Sequence, residues 1–116
     1  MKPEIKKLWV EALKSGEFKQ DTGGLRTDKG YCCLGVLCEL HRQSVTPTAD
    51  GWKGGKWLRY DGEVLYLPPS VMEWAGIKDS NPIINPDPDS NYKNAASYND
   101  NGATFKTIAK LIKKNL

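Results

Sequence analysis

Apolar side chains recur at helical spacing near the start of the chain. The stripe consists of Ile5, Leu8, Trp9, Ala12 and Leu13. This i, i+3, i+4, i+7, i+8 spacing predicts a helix over residues 3–15 with one buried face. Pro3 suits the first turn of such a helix, and Gly16 suits its C-terminal end.

Two further segments have the pattern of long helices. Residues 32–42 are apolar on nearly every face, which is typical of a helix at the centre of a core. Gly35 inside this segment indicates that another element packs closely against it. The segment 105–115 repeats apolar side chains at helical spacing after Thr104, a residue type that caps helix N-termini. A shorter helix is predicted from Pro68-Pro69 through Ala75, ending at Gly76.

Short β-hairpins are predicted between the helical segments. Asp61-Gly62 separates the β-prone runs 56–60 and 63–67, and this dipeptide favours a tight turn between strands. Leu25-Arg26 and Tyr31-Cys32 flank a second polar turn. We therefore expect an α+β fold, with three main helices packed around short hairpins. The 116 residues match the size of one globular domain, 1–116.

The remaining segments are less regular. Residues 78–94 are rich in Pro, Asn, Asp and Ser, which predicts an irregular loop. The pattern of residues 95–100 fits more than one type of structure. We find no internal repeat and no linker between domains.

Composition limits the classes of function. The net charge of +3 is small for a protein that binds nucleic acid irrespective of sequence, so we do not expect that partner. Weak nucleic-acid binding through the basic ends is kept as an alternative. No apolar run is long enough to cross a membrane, and none follows the basic start as a secretory signal requires. Three cysteines cannot all pair within one chain, and we therefore expect a cytoplasmic, reducing location.

The three cysteines are Cys32, Cys33 and Cys38. Their spacing does not match paired zinc ligands, and the chain has only one histidine, His41. We therefore expect no metal and no cofactor, and interpret the thiols as small apolar core groups. The alternative is an enzyme in which Cys32 or Cys38 acts with His41, because a thiol near a helix N-terminus becomes more reactive.

The most ligand-like segment spans residues 52–60. Its aromatic and basic side chains are Trp52, Lys53, Lys56, Trp57, Arg59 and Tyr60. Aromatic faces stack on nucleobases, and Lys or Arg side chains bind phosphates. The glycines of this segment do not have the spacing of a phosphate-binding P-loop. The alternative is a solvated hairpin with aromatic packing beneath it.

Four stretches of the sequence carry a resemblance to a known group of proteins. They are residues 9–20, 31–38, 67–76 and 98–109. Together they resemble a family of short, uncharacterised proteins of tailed phages and prophages. The Tyr-Cys-Cys-Leu-Gly-Val-Leu-Cys helix motif is the most specific part, and the family pattern also includes Leu25-Arg26 and Asn99-Asp100. No activity is assigned to this group, so the resemblance transfers no functional residues.

The resemblance implies a biological setting in a phage-infected host cell. Small phage proteins that are neither structural nor catalytic often act on the host, for instance by blocking an immune system. We expect a non-enzymatic, phage-type binding protein that sequesters a nucleotide-like ligand or inhibits a host protein, with no catalytic residues. The expected ligand-binding residues are Arg26, Trp52, Lys53, Lys56, Trp57, Arg59, Tyr60, Asn99 and Asp100. The many Trp and Tyr side chains are also compatible with a homo-oligomer, because such residues are enriched at protein interfaces.

Overall fold

A computed structural model describes residues 1–45 and 59–116. Helices dominate this part of the chain. Five are present among the described residues: α1 (Pro3–Ser15), α2 (Cys33–Val45), α3 (Pro69–Ala75), α4 (Ala95–Asp100) and α5 (Phe105–Asn115). None of them has the length and apolar character that crossing a bilayer requires.

The predicted α+β class is wrong, because the described residues form no β-sheet and the fold is mainly helical. Strand pairing there is limited to isolated bridges: Gln20 with Tyr31, Arg26 with Tyr31, Tyr60 with Glu63, and Ile83 with Asn94. Backbone groups beside these bridges bond to other segments instead of continuing a ladder. The Leu25 amide donates to the Val64 carbonyl at 2.7 Å, and the Leu67 amide donates to the Ser80 carbonyl at 3.0 Å.

The Asp61-Gly62 turn forms as predicted, although the run 63–67 that follows it forms no strand. Asp61 and Gly62 both have positive φ, 50° and 84°, as a tight hairpin turn requires. Tyr60 and Glu63 exchange both backbone hydrogen bonds, at 3.0 and 2.9 Å. The first half of the run 56–60 lies outside the described residues.

The core is built around α2, as its apolar sequence predicts. Every side chain from Cys33 to Cys38 is buried, and α2 contacts α1, α3 and α4. The Trp9 indole on α1 donates to the Cys33 carbonyl at 2.9 Å. Gly35 lies directly against the backbone of Leu25, where a Cβ atom would come within 1.6 Å of the carbonyl oxygen. The close packing expected at this glycine is therefore confirmed.

The predicted C-terminal ends of α1 and α3 and the predicted start of α5 are also confirmed, whereas α2 ends three residues later than predicted. α1 and α3 end at Gly16 and Gly76, whose φ values of 81° and 73° are the left-handed conformation that glycine adopts without strain. The Thr104 hydroxyl accepts a hydrogen bond from the Thr107 amide at 3.2 Å and so caps α5. α5 packs along α1 and brings the C-terminal end of the described chain beside its N-terminal end.

Candidate functional site

A buried carboxylate lies at the centre of the most unusual polar cluster in the described residues. Glu39 is on the core helix α2 and only 3% exposed. The Arg42 Nε donates to both of its oxygens, at 2.8 and 3.0 Å, and the Tyr60 hydroxyl donates to Oε2 at 2.8 Å. The guanidinium of Arg26 lies 3.8 Å from the same oxygen. A buried charge needs such partners, because removing it from water is otherwise costly.

Each partner comes from a different local structure. Arg42 follows Glu39 by one helical turn, so the two side chains share a face of α2. Arg26 is placed by its bridge to Tyr31, and Tyr60 by the Asp61-Gly62 turn. We call Arg26, Tyr31, Glu39, Arg42 and Tyr60 the guanidinium cluster.

An aromatic ring supports one of the two guanidinium groups. The Arg26 guanidinium carbon lies 4.9 Å from the centre of the Tyr31 ring, a cation–π distance. The ring of Phe18 meets Tyr31 edge-on, with the centroids 5.2 Å apart. Tyr31 is thereby held in place by Phe18 and positions Arg26.

Burial and the charge of Glu39 together raise the pKa values of the two phenols in the cluster. Burial, followed by the charge of Glu39, raises the pKa of Tyr60 and of Tyr31, so both phenols stay protonated over the physiological range. The hydrogen bond to Glu39 raises the pKa of Arg42. Among the described residues, the two guanidinium groups face one carboxylate.

The two arginines are accessible, whereas the carboxylate is not. The side chains of Arg26 and Arg42 are 25% and 23% exposed, against 4% for the side chain of Glu39. Guanidinium groups present several N–H donors in a rigid plane that matches phosphate and carboxylate oxygens. The cluster therefore places two partly exposed guanidinium groups in a fixed orientation at the surface.

Only some of the ligand contacts expected from the sequence come together here. Arg26 and Tyr60 both lie in the cluster, through Glu39. Arg59 is exposed beside it, and its Nη1 donates to the Gly62 carbonyl at 3.4 Å. The other expected contacts, Trp52, Lys53, Lys56 and Trp57, lie outside the described residues.

Asn99 lies in a different network and holds the fold together. It is only 1% exposed. Its Oδ1 accepts from the Gln20 Nε2 at 2.9 Å and from the Cys33 amide at 3.1 Å, and its Nδ2 donates to the Asp21 carbonyl at 2.9 Å. The neighbouring Asp100 is exposed and accepts a hydrogen bond from the Gly23 amide at 3.3 Å. A ligand cannot reach the Asn99 amide without breaking these bonds.

The cysteines have the properties of core groups. All three are buried, and the Cys33 thiol donates to the Ala95 carbonyl at 3.4 Å. Burial raises the pKa of Cys32 to about 11 and also raises the pKa of Cys33 and Cys38. Burial lowers the pKa of His41, whose ring packs against Trp74 at 5.1 Å between centroids. A nucleophilic thiol needs the opposite shift. No group of side chains suited to a metal ion occurs among the described residues.

Sequence reasoning missed three members of the cluster, Tyr31, Glu39 and Arg42. A signal for two of them was present. Glu39 is the one charged residue within the apolar part of α2, and Arg42 follows it at i+3. A glutamate on a helix that is buried all round must have a partner, and the nearest cation on its own face is the first candidate.

Comparison with known proteins identifies a family but not an activity. No curated protein and no solved structure matches the chain. A family model matches residues 1–116, the full sequence in hand. The chain therefore belongs to the family described as a domain of unknown function, DUF8296.

Proposed function

We propose that this protein is a non-enzymatic binding protein that captures a nucleotide-like, phosphate-bearing anion at the guanidinium cluster. The observation that carries the proposal is the convergence of Arg26 and Arg42 on the buried Glu39, with both arginines partly open to solvent. An anion at this surface would meet two guanidinium groups whose orientation the contacts with Glu39 already fix. Binding would then require little ordering of side chains, which favours affinity.

The sequence between two members of the cluster supports the nucleotide-like character of the ligand. Arg42 and Tyr60 are joined by a segment that carries Trp52, Lys53, Lys56 and Trp57. Aromatic side chains stack on bases, and lysines add charge for phosphates. Their participation stays a prediction from the sequence.

The biological setting that we propose is a phage-encoded one. The chain resembles short proteins of tailed phages and prophages, and its cysteine-rich helix motif is the most specific part of that resemblance. A host immune system that signals through a nucleotide would be blocked by a protein that sequesters the signal. The setting rests on analogy, whereas the anion site rests on the contacts of Arg26, Glu39 and Arg42.

Native mass spectrometry of the protein purified from its host tests the proposal directly. We expect an additional mass in the nucleotide range that disappears on denaturation. Calorimetric titration with mononucleotides, dinucleotides, cyclic nucleotides and pyrophosphate would then identify the class of ligand. Absence of both a retained mass and any binding in the titrations would reject the anion site.

Replacing one arginine locates the site. Arg26→Gln removes the charge and keeps most of the side-chain length, and we expect about a tenfold or greater loss of affinity, since one charge-assisted hydrogen bond contributes about 1.5–3 kcal/mol. Lys78→Gln, at an exposed position outside the cluster, is the matched control and should bind as the unchanged protein does. Equal affinities for both variants, with unchanged melting temperatures, would show that the ligand binds outside the guanidinium cluster.

A further inference from the structure

A second charged surface lies between α1 and α5. The two helices pack along each other and leave a groove of about 510 Å³. Pro3 and Val10 contribute the apolar part of its lining, and Glu11 the single acidic side chain. The basic side chains that line it are Lys6, Lys7, Lys14 and Lys113. No residue of the guanidinium cluster takes part in this groove.

The charge of the groove is not neutralised by the part of the chain that the structure describes. Four lysines against one glutamate leave a surplus of three positive charges. Within residues 1–45 and 59–116 the ion pairs are those of Glu39, and none involves a lysine of the groove. These ammonium groups are therefore available to an external anion.

Helix stability does not explain the position of all these lysines. Lys14 and Lys113 lie in the last turns of α1 and α5, where a cation interacts favourably with the helix dipole. Lys6 and Lys7 lie directly after the first turn of α1, where the dipole gives a cation no stabilisation. Both face the same groove as the other two, which points to a role in binding.

We infer that the α1/α5 groove is a docking surface for an acidic amphipathic helix of a partner protein. Lys7, Glu11 and Lys14 are at i, i+4 and i+7 on α1, so they form one stripe of alternating charge about 10 Å long. A partner helix with carboxylates at the same spacing and one basic residue between them matches this stripe. Its apolar face would cover the side chains of Pro3 and Val10.

The lining favours a protein over a nucleic acid. Aromatic side chains stack on the bases of single-stranded nucleic acids, and among the described residues none lines this groove. Glu11 in the middle of the stripe would repel a continuous phosphate backbone, whereas it sets the register of a helix with mixed charges. The apolar part of the lining likewise suits an amphipathic side-chain surface.

A synthetic peptide tests this inference. The probe is a fluorescein-labelled amphipathic helix with a leucine face, glutamates at i and i+7 and one lysine at i+4; its binding is measured by fluorescence polarisation. The same peptide with glutamine for glutamate measures the contribution of charge. We expect micromolar binding of the acidic peptide, weaker binding at high salt, and at least a tenfold loss, about 1.4 kcal/mol, for the uncharged one.

Charge reversal on the protein shows whether the groove is the site. The double variant Lys7→Glu, Lys14→Glu should weaken binding about tenfold or more. The control Lys29→Glu, Lys78→Glu makes the same change in net charge at exposed positions outside the groove and should retain most of the affinity. Equal losses in the two variants would mean unspecific attraction and overturn the inference. Displacement of the peptide by a DNA duplex with higher affinity would also overturn it.

The experiments test the two proposed sites independently of each other. Arg26→Gln should leave peptide binding unchanged, and the groove variant should leave anion binding unchanged, because the two sets of residues do not overlap. Absence of peptide binding to the unchanged protein would reject the groove and leave the guanidinium cluster unaffected.

Discussion

At the scale of single residues, two amide side chains join helices that are far apart in the sequence. Asn99 accepts from the Cys33 amide at the start of α2, and Gln20 accepts through Oε1 from the Phe105 amide at the start of α5. The Gln20 Nε2 also donates to Asn99 Oδ1 at 2.9 Å. The first amides of a helix have no partner within the helix, so these bonds satisfy groups that burial would otherwise leave unpaired.

Asn99→Asp should be strongly destabilising. The new oxygen would face the Asp21 carbonyl and the Asp100 carboxylate, which now accept from Nδ2, and this half of the buried charge would have no donor. We expect a loss of about 2–4 kcal/mol in the free energy of unfolding at neutral pH, measured by urea denaturation. The loss should shrink at low pH, since a protonated carboxyl group regains a donor.

Asn101→Asp is the matched control for this change. Asn101 is exposed, and its Nδ2 donates to the Ser97 carbonyl at the end of α4. We expect a change below about 1 kcal/mol, typical of a surface position. Similar stabilities for the two variants would show that the buried amide network contributes little.

Asn99 also shows why sequence reasoning about single polar residues is weak. An asparagine beside an aspartate fits a ligand contact and a helix-capping role equally well from its type alone. Only its burial and its hydrogen bonds to Gln20, Asp21 and Cys33 assign it to the fold.

At the scale of elements, the central helix tolerates no added volume at Gly35. A Cβ atom there would lie 1.6 Å from the Leu25 carbonyl oxygen and 2.5 Å from its carbon. Both are backbone atoms, so no side-chain rotation relieves the clash. The segment that carries Arg26 is therefore fixed against α2 by this contact.

Gly35→Ala should prevent normal folding or cost more than about 3 kcal/mol, as expected for severe overpacking. Gly16→Ala is the control with open space, since nothing lies within 4 Å of the added atom, and only its φ of 81° is unfavourable. We expect about 1 kcal/mol for that variant. Circular dichroism melts of both variants measure the difference, and equal losses would contradict the close approach.

At the scale of the whole molecule, the buried core makes the protein sensitive to alkali. The pKa of Cys32 rises from an ordinary 9.0 to about 11, and burial raises those of Cys33, Cys38 and Tyr60 in the same direction. Between pH 9 and about 11 the unfolded chain has lost the proton of Cys32 and the native chain keeps it. The native state then binds more protons, so the free energy of unfolding falls as pH rises.

Urea denaturation between neutral pH and about pH 10 measures this fall. Cys32→Ala should make the fall smaller by about 1.4 kcal/mol, because pH 10 lies one unit above the unfolded pKa of 9.0 and one pKa unit corresponds to about 1.4 kcal/mol. Val36→Ala also removes buried volume but no titrating group, and should lower stability equally at every pH. An unchanged pH dependence in Cys32→Ala would contradict this account of the thiol.

The sequence by itself determined α1, α3, α5 and the core of α2, whereas it left α4 undecided. The apolar stripe of α1, the apolar run of α2 and the capped start of α5 follow from residue type and spacing alone, because these are properties of neighbouring residues. The tight turn at Asp61-Gly62 is local in the same sense. The sequence also predicts Arg26 and Tyr60 as ligand contacts, and this stays a prediction.

Only the tertiary structure decided where the β-prone segments go and which polar groups meet. Backbone amides of Leu25 and Leu67 bond to distant segments, so no sheet forms among the described residues. Glu39 meets Arg26 and Tyr60 across 13 and 21 positions of the chain, and the lysines of α1 meet Lys113 through helix packing. Such contacts depend on how separate elements pack, and the local spacing of residues does not determine that packing.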